Sequence, residues 1–129
     1  MSAGLVYDPI YLEHNTGPHV EDAARLAAIM GLLEDSGIIS KVINIPPRPA
    51  SVEEISRVHS QRYISYVESF AQRGGGWLDG DTAVSPASYE VACYAAGGAI
   101  AAVDAVLNGK VENAFALVRP PGHHAIRSQ

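Results

Sequence analysis

Three features of this 129-residue sequence predict an α/β fold, three layers deep in the order helix, sheet, helix, with a parallel sheet at its centre. The run Ala114-Phe115-Ala116-Leu117-Val118 is continuously apolar rather than alternating, the pattern of a strand buried on both faces of a parallel sheet. Ahead of it lies a long helical segment whose centre, Ala95 to Val103, is made of small residues that let a helix lie close against a sheet. Earlier still, two short apolar or β-branched runs are separated by an amphipathic helix.

The first of those runs, Leu5-Val6-Tyr7, is closed by Asp8-Pro9 and reads as a strand. From Glu21 to Ser36, Leu26, Ile29, Met30 and Leu33 recur at i, i+3, i+4 and i+7, an apolar stripe on a helix that Gly37 can end in a left-handed cap. Val42-Ile43-Asn44-Ile45 is a second short strand, stopped by Pro46-Pro47. Ser51 and Glu54 form a capping box for a short helix through Ile55 and Val58. Another helix runs from about Gln61 to Gln72 with Tyr63, Val67 and Phe70 on one side, and Arg73-Gly74-Gly75-Gly76 opens a loop to about Ser85. The long helix then takes Ser85 as cap and Pro86 as first helical residue, and continues to Asn108 with Gly109 behind it. A strand buried on both faces needs neighbours on each side, so part of the sheet is expected from beyond Gln129 or from a partner chain.

The composition, 47% hydrophobic and 18% charged with a net charge of -5, is that of a single globular domain. With a pI of about 5.4 there is no general basic field to hold a nucleic-acid backbone, and direct DNA binding is not expected. Cys93 is the only cysteine, which excludes an intramolecular disulfide and a cysteine-rich metal site. No leader-like start and no run of about 18 apolar residues stands out, so no membrane association is expected and a cytoplasmic location is the expectation.

The chemistry concentrates in Arg119-Pro120-Pro121-Gly122-His123-His124-Ala125, directly after the buried strand. Carboxyl ends of strands border the ligand crevice in open α/β sheets. The prolines fix the backbone and end the ladder, and Gly122 permits close approach. Imidazole titrates near neutrality, so one of two adjacent rings can take a proton from an attacking water while the other, kept cationic, stabilises developing negative charge. A polar loop and a metal-ligand pair stand beside that reading when the pair is taken alone.

Arg119 to Ala125 resembles the signature of the histone deacetylase superfamily, which includes acetylpolyamine amidohydrolases and acetoin-utilisation proteins. The likeness runs along the chain through Tyr7-Asp8-Pro9, His14, Thr16-Gly17-Pro18, Val52-Glu53-Glu54-Ile55, Val58-His59, Tyr63, Asp79-Gly80-Asp81-Thr82, Ser85-Pro86 and Asn113 to Val118. The resemblance implies an arginase/deacetylase-like fold of which this chain is the amino-terminal portion. It implies that His123 and His124 are the catalytic tandem histidines of amide hydrolysis, with a metal-bound water as nucleophile, and that Asp81 is the rim-loop aspartate that binds the substrate backbone. The plainer reading of Asp81 is a solvated loop acid beside Asp79. The implied substrate is an acetylated amine, acetyl-lysine or a polyamine.

Zn2+ belongs to the complete enzyme in this resemblance, held by two aspartates and a histidine after the signature. Metal ligands are therefore not expected among these residues, and the chain alone is expected neither to hold zinc at the family site nor to hydrolyse acetyl-lysine. Asp22 stands where many members carry an arginine lining an inner exit channel. His14, His19 and His59 are expected to make structural hydrogen bonds, each in isolation. The alternative to the enzyme reading is a non-catalytic α/β module that interacts or dimerises, giving a homo-oligomer, through the surface left uncovered. Phosphate binding by Gly74-Gly75-Gly76 is disfavoured, because no lysine-serine/threonine pair follows.

Overall fold

The computed structural model describes residues 2–129. Strand β1 (Ala3–Val6) is central in a three-stranded parallel sheet of order β2-β1-β5, flanked by β2 (Ile43–Asn44) and β5 (Asn113–Ala116). Leu5 lies opposite Asn44 and Phe115, and Val6 opposite Ala116. Leu117 N–H donates to Val6 O at 2.9 Å, extending the β5 ladder by one residue toward the signature.

Helix α1 (Ala24–Asp35) follows a 3-10 turn at Pro9–Leu12 and starts three residues later than the periodicity predicts. Asp22 Oδ1 accepts from Ala24 N–H, so the segment before Ala24 serves as the cap instead of the first turn. Leu26 is fully buried and Met30 and Leu33 pack against the core, whereas Ile29 lies on the exposed side of the stripe. Gly37, at φ 78°, takes the expected left-handed position and its N–H reaches Glu34 O. The capping box closes as predicted over α2 (Val52–Ile55): Glu54 N–H donates to Ser51 Oγ at 3.1 Å and Ser51 N–H to Glu54 Oε1 at 2.9 Å.

Helix α3 spans Gln61–Gln72, but its buried residues are Ile64 and Ala71, with Tyr63, Val67 and Phe70 half-buried beside them. The segment read as loop after Arg73 contains an antiparallel hairpin, β3 (Gly76–Asp79) and β4 (Thr82–Val84), with Gly80 and Asp81 in the turn. Asp-Gly between apolar residues is a hairpin signal that the preceding glycine run obscured. Gly75, at φ 79°, lets the chain pass over the Val84 backbone, which a Cβ there would strike.

Helix α4 (Ser88–Leu107) begins after Ser85-Pro86, not at them: Ser85 N–H donates to Ser88 Oγ at 2.7 Å, folding a turn ahead of the helix. By length and apolarity α4 is sufficient to cross a membrane, contrary to the sequence reading. Its packing accounts for that composition, since Val91, Ala95, Gly97, Gly98, Ala102 and Ala105 are buried. A Cβ on Gly98 would meet Val6 Cγ1 at 3.1 Å and Val118 Cγ1 at 3.2 Å, so the helix lies directly on the β1–β5 face. Gly97 faces the Arg48–Ala50 backbone, tied to the helix by Ala50 N–H donating to Cys93 O at 2.9 Å.

These contacts predict opposite signs for two glycine-to-alanine changes. Gly97→Ala is expected to lose about 1–3 kcal/mol, because rigid backbone must move to admit the methyl group. Gly31→Ala in α1 meets nothing within 4 Å and is expected to gain about 0.5–1 kcal/mol from helix propensity. Urea midpoints of the two variants check both signs.

Strand alternation places Leu5 and Phe115 on the sheet face away from α4. Leu5 shares a core with Leu26 and Leu117, but Phe115 is 64% exposed. The expectation that the 114–118 strand is buried on both faces is therefore corrected for the described residues. Among the described residues β5 pairs with β1 alone and stands at the sheet margin, which leaves most of Phe115 exposed.

Candidate active site

The signature begins inside the protein. Arg119 is fully buried, and its guanidinium makes a fork onto Glu21, with Nη2 to Oε2 at 2.8 Å and Nε to Oε1 at 3.1 Å. Nη1 donates to the carbonyls of Tyr11, at 3.0 Å, and His14. Burying a cation is costly unless paired and hydrogen-bonded, and here every face of the fork has an acceptor. Sequence reasoning took Arg119 only as a signature residue. The signal that could have marked it is its position: an arginine straight after a core strand has to find a carboxylate.

Beyond Arg119 the chain emerges through a cis peptide bond to Pro120 and presents His123 and His124 at the surface, ring centroids 4.2 Å apart and planes inclined by 56°. The tail behind them is pinned by Ser60 N–H donating to Arg127 O at 2.8 Å and by His59 Nδ1 donating to Ile126 O at 2.6 Å. His59 thus makes the structural bond expected of it.

Asp81 occupies the exposed tip of the β3–β4 hairpin. Asp79 Oδ1 accepts from Asp81 N–H at 2.8 Å; bonds from the Asp81 backbone and from Thr82 hold the Asp79 carboxyl below its usual range, with a smaller contribution from His124. His19 Nε2 donates to Asp81 Oδ1 at 2.9 Å and to Asp81 O at 3.0 Å.

His14 is buried, with Nδ1 2.6 Å from Ser88 Oγ and Nε2 3.9 Å from Glu21 Oε2. Burial first, then the Arg119 guanidinium, lowers its pKa to about 4. His14 and His19 are therefore not isolated, as the sequence suggested. Both meet Glu21, one at its carboxylate and the other through Glu21 N–H donating to His19 Nδ1 at 2.9 Å. Asp22 lines a cavity of about 240 Å³ with Glu13, His14, Asn15 and Thr16.

Among the described residues no three His, Cys, Asp or Glu side chains converge to hold a metal ion. These residues therefore do not by themselves fit a zinc centre. What they offer is a pair of exposed imidazoles four and five residues after Arg119, and an acidic hairpin tied through His19 to the backbone of Glu21, whose carboxylate holds Arg119.

The histone deacetylase domain profile matches residues 19–129. The chain belongs to the histone deacetylase family. It is 41% identical over 128 residues to a probable deacetylase of Archaeoglobus fulgidus, covering 97% of this chain and 35% of that protein. A histone deacetylase-like amidohydrolase of Pseudomonas aeruginosa is 40% identical over 111 residues, covering 86% of this chain and 29% of the relative. The crystal structure of the HDA15 HD domain superimposes with a TM-score of 0.89 at 31% identity, covering 95% of this chain and 37% of that one. The α/β deacetylase fold is thereby established, and the chain spans about a third of the length of these relatives.

Proposed function

We propose that this deacetylase segment supplies the proton-handling residues and part of the substrate rim of a zinc-dependent amidohydrolase that removes acetyl from an amine, acetyl-lysine or an acetylated polyamine. The observation that carries the reading is the pair His123 and His124, exposed side by side on the segment that follows the carboxyl end of β5. One imidazole takes a proton from the attacking water, whose oxygen bonds to the acetyl carbon. The other gives a proton to the departing amine nitrogen as the C–N bond breaks, leaving acetate and free amine. Asp81 accepts a hydrogen bond from a substrate backbone N–H.

Zinc enters this proposal only as the group of the complete enzyme, with ligands from outside the residues described. In keeping with that, residues 1–129 alone are proposed to be inactive toward acetyl-lysine. In the full-length protein that carries this segment, His124→Ala is expected to lower kcat roughly 10²–10⁴-fold, the usual contribution of a positioned acid or base. Unchanged activity in that variant removes the assigned role.

A second reading, association through the open side of the sheet, is favoured by one observation: Phe115 on β5 and Leu107 on α4 are 64% and 77% exposed. Apolar area of this kind drives pairing of chains or of domains. Light-scattering mass checks it, a monomer at all concentrations arguing against self-association.

A further inference from the structure

We infer that His19 is a positioning residue for substrate recognition, holding the Asp81 carboxylate in the orientation in which it meets a substrate backbone amide. The inference rests on the reading of Asp81 given above and adds the group that makes that aspartate selective.

An aspartate on a two-residue turn, its side chain 92% exposed, has little to fix its rotamer, and ordering it at the moment of binding costs affinity. Here its polar groups are already engaged. Its N–H donates to Asp79 Oδ1, while its carbonyl and Oδ1 both accept from one nitrogen, His19 Nε2. The other ring nitrogen settles which atom carries the proton: Nδ1 accepts the Glu21 N–H, so Nε2 is the donor. The ring is only 16% exposed and lies beside Trp77 of β3, centroids 6.3 Å apart, so it is held from two sides. With Oδ1 occupied by His19, Oδ2 is the oxygen left for a substrate N–H. Glu21 gives the arrangement its reach. Its backbone fixes His19 and hence the rim, and its carboxylate fixes Arg119 and hence the arm that carries His123 and His124. Rim and proton-handling residues are registered to each other through a single residue.

The test compares two substrates in the full-length protein: an acetyl-lysine peptide, which has backbone amides, and a simple N-acetylated alkylamine, which has none. The readout is the ratio of their kcat/KM values. Asp81→Ala is expected to lower that ratio about tenfold, the loss of one charge-assisted hydrogen bond. His19→Ala is expected to lower it about fivefold, His19→Gln to restore part of the loss because its amide can still donate, and His19→Ala on an Asp81→Ala background to lower it no further. Damage to folding alone would depress both substrates together and leave the ratio intact. If Asp81→Ala lowers the ratio while His19→Ala leaves it, or if the two effects add, the positioning role is overturned and the Asp81 reading survives. If Asp81→Ala itself leaves the ratio unchanged, the substrate-binding reading falls and this inference with it.

Discussion

Replacing Arg119 by methionine is expected to cost about 3–5 kcal/mol of stability, the range for removing one partner of a buried ion pair. Methionine fills a similar volume, so the loss comes from what the guanidinium leaves behind. The carbonyls of Tyr11 and His14 lose their Nη1 donor, and the Glu21 carboxylate, 19% exposed, keeps the surface-facing Arg25 at 3.1 Å and the His14 ring at 3.9 Å. Arg119→Lys keeps the charge but cannot span five acceptors from one ammonium, so it is expected to recover less than half. Urea unfolding reads both variants. A further expectation separates this account from simple core damage: with Glu21→Gln already in place, Arg119→Met should cost clearly less than in the parent, because no uncompensated carboxylate remains. Equal costs in the two backgrounds would show that the ion pair is not what Arg119 contributes.

The site was readable from sequence only where its chemistry is local. The Ser51–Glu54 box, the Gly37 cap and the bounds of α3 depend on residues within a few positions of one another, and they appear as read. Local chemistry also misled where two local signals competed. The triple glycine signals a loop and hides the Asp79-Gly80 turn that makes a hairpin of it, and Ser85-Pro86 has the form of a helix start although Ser85 turns back onto Ser88. The run 114–118 announced a strand correctly, but how many of its faces are covered depends on packing partners, and Phe115 is 64% exposed among the described residues.

What the sequence did not disclose at all is the connection between sites. His14, His19 and Arg119 looked like three unrelated residues, because the one they share, Glu21, is 98 positions from Arg119 along the chain. The His19 bond to the Glu21 N–H is local, two positions apart, and it is the fold that brings Arg119 onto the Glu21 carboxylate. The bonds from Arg119 to Glu21 and from His19 to Asp81 tie the Asp81 hairpin and the segment that carries His123 and His124 to one residue, and the core beneath is expected to be sensitive to pH.

That sensitivity resides in His14. In the folded protein its imidazole titrates at about 4, against about 6.5 for the unfolded chain. Above pH 6.5 neither state binds the proton and His14 contributes no pH dependence. As pH falls from 6.5 toward 4 the unfolded chain takes up a proton that the folded protein refuses, so stability declines by about 1.4 kcal/mol per pH unit, reaching about 3 kcal/mol near pH 4. Burial of the ring is the main cause, and the groups around it act in the same direction on balance. The Arg119 guanidinium and His19 oppose a second positive charge, and the Glu21 carboxylate, which favours it, is already shared with Arg119 and Arg25. Ser88 Oγ accepts the Ser85 N–H and can give its own hydrogen to His14 Nδ1, an arrangement that a protonated ring would break. His14→Asn keeps an acceptor near the Nδ1 position and removes the titration. Between pH 6.5 and 5.0 the parent protein should therefore lose between about 1 and 2 kcal/mol more than the variant in urea unfolding. Parallel stability profiles for the two proteins over that window would show that His14 is not the group that makes this core acid-labile.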